Sequence, residues 1–196
     1  MSQEMAPVYG LVLAGGASSR MQSDKAALLY QGQTQLTRTV ALMRAHLVEV
    51  FVSVRADQVH DPLRSPYPLI VDAVPGSGPI AGIRSAMQSH PEAAWLVVAC
   101  DLPFLSDAVI VNLLTSRAGN IATAYRSSHD DLPEPLCAIW EPTAAAALQA
   151  YQEGGGSCPR KFLIRANIAL LAPLGEHALD NVNTPDDYQT ALASLR

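Results

Sequence analysis

The chain has 196 residues, 49% of them apolar, and a formal net charge of −5. That length and apolar content suit one domain with a substantial core and exclude a disordered or fibrous protein. The acidic balance argues against a nucleic-acid binder held by a basic surface, so a polyanionic ligand has to be held by local positive charge.

Val8 to Leu13 reads as a short strand buried on both faces. It runs into Ala14-Gly15-Gly16-Ala17-Ser18-Ser19, where no side chain is larger than a hydroxymethyl, and Arg20 and Lys25 then add positive charge. A strand that opens into small residues exposes consecutive backbone N–H groups, which form a concave anion site. Neither G-x-x-x-x-G-K-[ST] nor G-x-G-x-x-G occurs, so a Gly-Gly turn alone is weak evidence for a phosphate loop. Beyond Lys25, Ala26 to Tyr30 is a short apolar segment closed by a Gln31-Gly32 turn. Thr34 caps a helix whose inner face carries Leu36, Val40, Met43 and Leu47.

Val48 to Val54 is a β-branched strand, Arg55 to Pro68 a polar loop, and Leu69 to Val71 a third strand that ends at Asp72. Pro79 suits the first turn of a helix with Ile80, Ile83 and Met87 inward. Trp95 to Ala99 is a buried strand with Cys100-Asp101 at its end, and Ser106 caps the helix after it. Strands are expected over Asn120–Tyr125, Leu136–Trp140 and Ile168–Leu171. Helices are expected from Glu141-Pro142 to about Tyr151 and over Pro159–Arg165, with a mobile Gly154–Ser157 loop between them. Thr184-Pro185-Asp186-Asp187 is a capping box opening a terminal helix whose inner face carries Tyr188, Leu192 and Leu195.

Strands alternating with helices imply an α/β, three-layer α/β/α arrangement with a mainly parallel central sheet, its ligand beyond the carboxyl ends of the strands. The pattern contains no linker and no repeat, so residues 1–196 are expected to form a single domain. Cys100, Cys137 and Cys158 have neither C-x-x-C nor His-spaced zinc patterns, as expected in a reducing cytosol. The opening MSQEMAPVYG lacks the parts of a signal peptide and no apolar run is long enough to cross a membrane, so a cytoplasmic protein is expected.

Asp101, directly after a buried run, needs compensation for its desolvation; a divalent cation would supply it, and so would the ordinary use of Asp in a turn. Asp72 ends a neighbouring strand, where a plain loop carboxylate is the ordinary reading. Asn181 and Asn183 lie two apart in extended chain and so point to one side, to hold a polar ligand or merely to lead into the Thr184 cap.

The run Leu13-Ala14-Gly15-Gly16-Ala17-Ser18-Ser19-Arg20-Met21-Gln22-Ser23-Asp24-Lys25 resembles the signature loop of the nucleotidyltransferases. It is most similar to that of the molybdenum cofactor guanylyltransferases, LAGG-x-x-x-RMG-x-DK, with Gln22 where that family usually has glycine. Gly78-Pro79-Ile80-Ala81-Gly82, Cys100-Asp101, Glu134-Pro135-Leu136-Cys137-Ala138 and Asn181-Val182-Asn183-Thr184-Pro185 resemble further segments of that family. The resemblance implies a nucleotide-diphospho-sugar transferase-like fold with a mixed sheet. It implies transfer of GMP from GTP to Mo-molybdopterin with Mg²⁺ as cofactor. It also implies transient contacts with other molybdenum cofactor biosynthesis proteins or target molybdoenzymes.

On the same resemblance Arg20, Lys25 and Asp101 are catalytic, and Asp101 also binds the metal. Leu13, Ala14, Gly15, Gly16, Ser53 and Asp72 contact the nucleotide with Lys25 and Asp101, while Gly78, Gly82, Asn181 and Asn183 contact substrate. LAGG goes with guanine users and LAAG with the cytidylyltransferases, which favours GTP. A cytidylyltransferase, a sugar-phosphate nucleotidylyltransferase and a non-catalytic nucleotide-binding protein are the alternatives. Arg160 and Lys161 follow the Gly154–Gly156 loop as a basic pair that either reaches an anionic acceptor or, as is usual for such pairs, is simply solvated.

Overall fold

The structure, a computed structural model, describes residues 5–16, 24–74 and 78–195. Ala17–Ser23 and Pro75–Ser77, and with them the Arg20 expectation, lie outside the described residues. Nine strands are present among the described residues: β1 (Val8–Leu13), β2 (Leu29–Tyr30), β3 (Gln33–Thr34), β4 (Val50–Val54), β5 (Leu69–Val71), β6 (Ala94–Ala99), β7 (Ala122–Arg126), β8 (Pro133–Trp140) and β9 (Ile168–Leu171). The helices are α1 (Gln35–Arg44), α2 (Pro79–Ser89), α3 (Asp107–Thr115), α4 (Ala144–Glu153), α5 (Pro159–Arg165) and α6 (Pro185–Ser194).

Seven strands form one sheet in the order β5-β4-β1-β6-β8-β7-β9. β8 runs against both its neighbours while the other pairings are parallel, so the sheet is mixed and mainly parallel. Every residue of β6 is buried, as a central strand covered on both faces requires. Successive side chains serve opposite faces. Leu96 and Val98 pack with Leu36, Val40, Met43, Val109 and Ile110 from α1 and α3. Trp95 and Val97 pack with Ile80, Ile83, Leu148 and Phe162 from α2, α4 and α5. A third, small cluster joins α6 to the β2–β3 hairpin through Tyr30, Val182 and Ala191, and the Tyr188 hydroxyl donates to the Leu29 carbonyl at 2.8 Å. The hairpin turns on Gln31 and Gly32 at φ 50° and 80°, the left-handed pair of a type I′ turn.

Caps hold where expected: Thr34 accepts from the Thr37 N–H, and Thr184 and Asp187 close a reciprocal capping box. Ser106 takes the N-cap position of α3 without a side-chain cap bond. Four boundaries differ from expectation. β4 starts at Val50, and Val48 is 93% exposed in the bend that joins α1 to the strand. β7 runs from Ala122 to Arg126 rather than Asn120 to Tyr125, and its ladder shifts register before Arg126. β8 begins at Pro133 and contains Pro135; it is tolerated where that ladder is irregular and before pairing to β6 begins at Cys137. α4 begins at Ala144 because Glu141 is engaged elsewhere. Gly154–Gly156 are a hydrogen-bonded helix end, donating to the Ala150, Gln152 and Tyr151 carbonyls at 2.9–3.0 Å.

Glu141 meets Arg117 through two parallel bonds of 2.7 Å, and Arg117 also donates to the Ala6 carbonyl at 3.0 Å. Both side chains are nearly buried, at the end of the sheet where β1 begins and β8 finishes. Breaking a buried pair strands a charge, so Glu141→Ala is expected to cost about 3–5 kcal/mol, read as a lower urea midpoint. Replacing both partners with apolar residues of similar size should recover most of that loss. No helix among the described residues is long and apolar enough to cross a membrane.

Candidate active site

The carboxyl ends of β1, β4, β5 and β6 lie side by side. Leu13 is in register with Ser53 on one flank and Ala99 on the other, and Val54 with Val71. The chain therefore leaves the sheet at four adjacent points, toward Ala14, Arg55, Asp72 and Cys100-Asp101. Between them opens a cleft of about 580 Å³. Leu13, Ala14, Gly15, Gly16, Lys25, Ser53, Asp72, Gly78, Gly82, Asp101, Asn181 and Asn183 all line it.

At its centre the Lys25 ammonium donates to Asp101 Oδ2 at 2.8 Å and to Asn183 Oδ1 at 2.6 Å, and the Asn181 amide donates to Asp101 Oδ1 at 2.8 Å. Lys25 and Asp101 are each about one-fifth exposed. The asparagines reach the site because Val182 between them is buried, with its N–H donating to the Asp101 carbonyl at 3.0 Å. The Asn183 backbone N–H donates to Asp187 of the α6 cap, while its side chain lines the cleft.

On the far wall the Ser53 hydroxyl donates to Asp72 Oδ1 at 2.8 Å. Burial raises the Asp72 carboxyl above its ordinary value, against the Ser53 hydrogen bond and the charge of Arg55. Gly82 sits in the first turns of α2 with no room for a side chain. A Cβ there would overlap Ser53 Oγ and stand 2.9 Å from Leu13 Cδ2 and 3.3 Å from Asp72 Oδ1. Gly82→Ala is expected to destabilise by about 1–3 kcal/mol through overpacking and to break the Ser53–Asp72 bond. Thermal unfolding and nucleotide titration of the variant check both effects.

Two arginines of the polar segment between β4 and β5 contact the Gly15 region. Arg55 Nη1 donates to the Gly15 carbonyl and Arg64 donates to the Ala14 carbonyl. A basic residue in a loop gives no local signal of such contacts. Cys100 lines the cleft but is buried, which pushes its thiol well above the ordinary range and leaves it without nucleophilic character. Arg160 is bound to Asp130 at 2.7 Å and Glu134 at 2.8 Å, so its charge is already matched.

Small-residue backbone, a lysine–aspartate pair and two amides converging at strand ends can hold a polyphosphate and neutralise its charge. Residues 10–170 match the MobA-like NTP transferase domain family. The chain belongs to this family. A molybdenum cofactor guanylyltransferase from Rhizobium meliloti is 32% identical over 94% of this chain and 90% of its own length. A molybdenum cofactor biosynthesis bifunctional protein from Synechocystis is 36% identical over 93% of the chain, which spans only 53% of that longer protein. The crystal structure of molybdopterin-guanine dinucleotide biosynthesis protein A from Archaeoglobus fulgidus superposes with a TM-score of 0.79 at 25% identity, covering 95% of this chain and 97% of the other. This MobA-like transferase thus has the three-layer fold its sequence implied, and is a nucleotidyltransferase, a class that generally uses a divalent metal.

The cleft fits such an ion by its donor chemistry. Asp101 offers two hard carboxylate oxygens and Asn183 one amide oxygen. Among the described residues no group of three or more His, Cys, Asp or Glu gathers to cage a metal. Mg²⁺ needs no such cage, since it is held by one or two carboxylates and completed by substrate phosphates and water.

Proposed function

We propose that this MobA-like transferase moves GMP from GTP to Mo-molybdopterin, releasing pyrophosphate. One observation carries the reading: Lys25 from the Gly15-Gly16 loop and Asp101 from the end of β6 meet at 2.8 Å, bracketed by both asparagines of the Asn181-Val182-Asn183 segment. The names of the guanylyltransferase relatives support the base and the acceptor.

In the reaction an oxygen of the pterin's terminal phosphate forms a bond to the α-phosphorus of GTP. The bond from that phosphorus to the bridging oxygen breaks, and pyrophosphate leaves with the electron pair. A phosphate monoester is already ionised near neutrality, so no general base is needed. The protein aligns the two anions and offsets charge. Amides of the Ala14–Gly16 turn and Arg20 hold the triphosphate, and Lys25 stabilises charge that grows in the transition state. Leu13, Ser53 and Asp72 face the nucleoside; Gly78, Gly82, Asn181 and Asn183 border the space left for substrate. Asp101 holds Mg²⁺, which supplies charge neutralisation to the phosphates when bound. A cytoplasmic location and transient delivery of product to molybdoenzymes go with this reading.

Incubation of the protein with GTP, Mg²⁺ and molybdopterin should yield the guanine dinucleotide and pyrophosphate, and CTP should give far less. Equal use of both nucleotides would defeat the assignment to GTP. Gly15→Ala probes the base, since it turns Leu13-Ala14-Gly15-Gly16 into the LAAG of the cytidylyltransferases and a Cβ there meets its nearest atom, the Arg55 backbone nitrogen, at 3.4 Å. Increased use of CTP relative to GTP by that variant is the expected result.

A further inference from the structure

Arg64 lies between β4 and β5 and is 1% exposed, among the largest fully buried side chains described. A guanidinium is seldom buried, and when it is, its donors must be matched. Here four of the five N–H groups have hydrogen-bond acceptors, and Nη1 also forms an ion pair with Asp24. Nε and one Nη2 hydrogen reach the Ala14 carbonyl at 3.1 and 2.9 Å. Asp24 Oδ1 takes the second Nη2 hydrogen at 2.9 Å while its Oδ2 lies 2.7 Å from Nη1 as an ion pair, and Asp61 takes an Nη1 hydrogen at 2.9 Å. Burial alone would weaken its charge, but the Asp24 hydrogen bond and the charges of Asp24 and Asp61 hold it above the ordinary arginine value.

Ala14 opens the segment that carries the signature loop, and Asp24 closes it. We propose that Arg64 is the positioning residue of the nucleotide loop, one guanidinium that sets both of its ends before the nucleotide arrives. At the first end the geometry follows from the planar trans peptide, in which C=O and the next N–H point opposite ways. Holding the Ala14 carbonyl turns the Gly15 N–H away from Arg64, and Arg55 does the same for the Gly16 N–H by holding the Gly15 carbonyl. Among the described residues neither amide has an acceptor. At the second end Asp24 Oδ1 also accepts the Ala26 N–H at 3.0 Å, capping the short 3₁₀ turn that begins with Lys25. Arg64 thus fixes the base of the lysine as well as the amides. It does not line the cleft, so it acts only through these groups.

This inference rests on the reading of the loop as the triphosphate site, and its test separates the two. GTP affinity is measured directly by calorimetry, with thermal unfolding alongside and steady-state kinetics for KM and kcat. Arg64→Lys retains charge but presents its donors from a single point, which cannot serve a carbonyl and two carboxylates at once. It should bind GTP about 10–100-fold more weakly, the range for removing an outer partner of a ligand-holding group, with KM rising more than kcat falls. Asp24→Glu keeps the charge of the cleft but moves the carboxylate off Arg64 and the Ala26 N–H; it disturbs one end only, should weaken GTP in the same direction, and the effects should not add in the double variant. Glu141→Ala, destabilised at the remote end of the sheet, should bind GTP as wild type does. Should Arg64→Lys unfold, Asp24→Glu decides alone. Wild-type affinity in a folded Arg64→Lys, or in Asp24→Glu, overturns the positioning role. Wild-type protein that binds no nucleoside triphosphate overturns the reading beneath it, and this inference with it.

Discussion

Asp101→Asn is expected to lower turnover by about 10²–10³-fold without unfolding the protein. The carboxylate uses Oδ2 for Lys25 and Oδ1 for Asn181. Asparagine has one oxygen and one NH₂ in the same space, so in either orientation a donor faces a donor. The variant also lacks the anionic oxygen that a divalent cation would take. The backbone bond from the Val182 N–H to the Asp101 carbonyl survives, so the asparagine segment keeps its place. The effect on nucleotide affinity has the opposite sign. Removing one negative charge leaves Lys25 unneutralised in the cleft, and GTP measured without divalent cation should bind at least as tightly as to wild type. Retained turnover, or cation-free GTP affinity falling in step with kcat, would remove Asp101 from the mechanism.

Much of this site was legible because its residues stand at punctuation points. Asp72 and Asp101 end β-branched or apolar runs, and Asn181 and Asn183 precede a capping box. A parallel sheet gathers such points at one edge, so separate strand ends became one cleft. What stayed hidden were relations between distant segments. Lys25, Asp101 and Asn183 each suggested a ligand contact, yet in the structure they first hold one another across 76 and 158 residues. Arg55 and Arg64 were invisible for the same reason. Their acceptors are backbone carbonyls 40 and 50 residues earlier, and carbonyls leave no mark in a sequence. The boundaries of β7 and β8 failed for a local cause. An irregular ladder admits Pro133 and Pro135 where a regular strand would exclude them.

Lys25→Ala is expected to reduce kcat by roughly 10²–10³-fold, the scale for removing one charge partner from a transition state. Its cation-free binding should move opposite to that of Asp101→Asn. The described lining residues include the carboxylates of Asp24, Asp72 and Asp101 and the cations of Lys25 and Arg55. Without Lys25, three carboxylates face a single cation, and a triphosphate must enter a more negative cleft. GTP affinity without divalent cation should therefore fall, and the dependence of turnover on divalent cation should steepen. Lys25→Arg restores the charge but not the fit. The ammonium reaches Asp101 and Asn183 at 2.8 and 2.6 Å from one atom, whereas a guanidinium spreads its donors over a plane. Partial recovery of GTP binding with little recovery of kcat is the expected signature of Lys25→Arg. Full recovery of both would mean that Lys25 acts by charge alone, and unchanged turnover in Lys25→Ala would mean that it does not act at all.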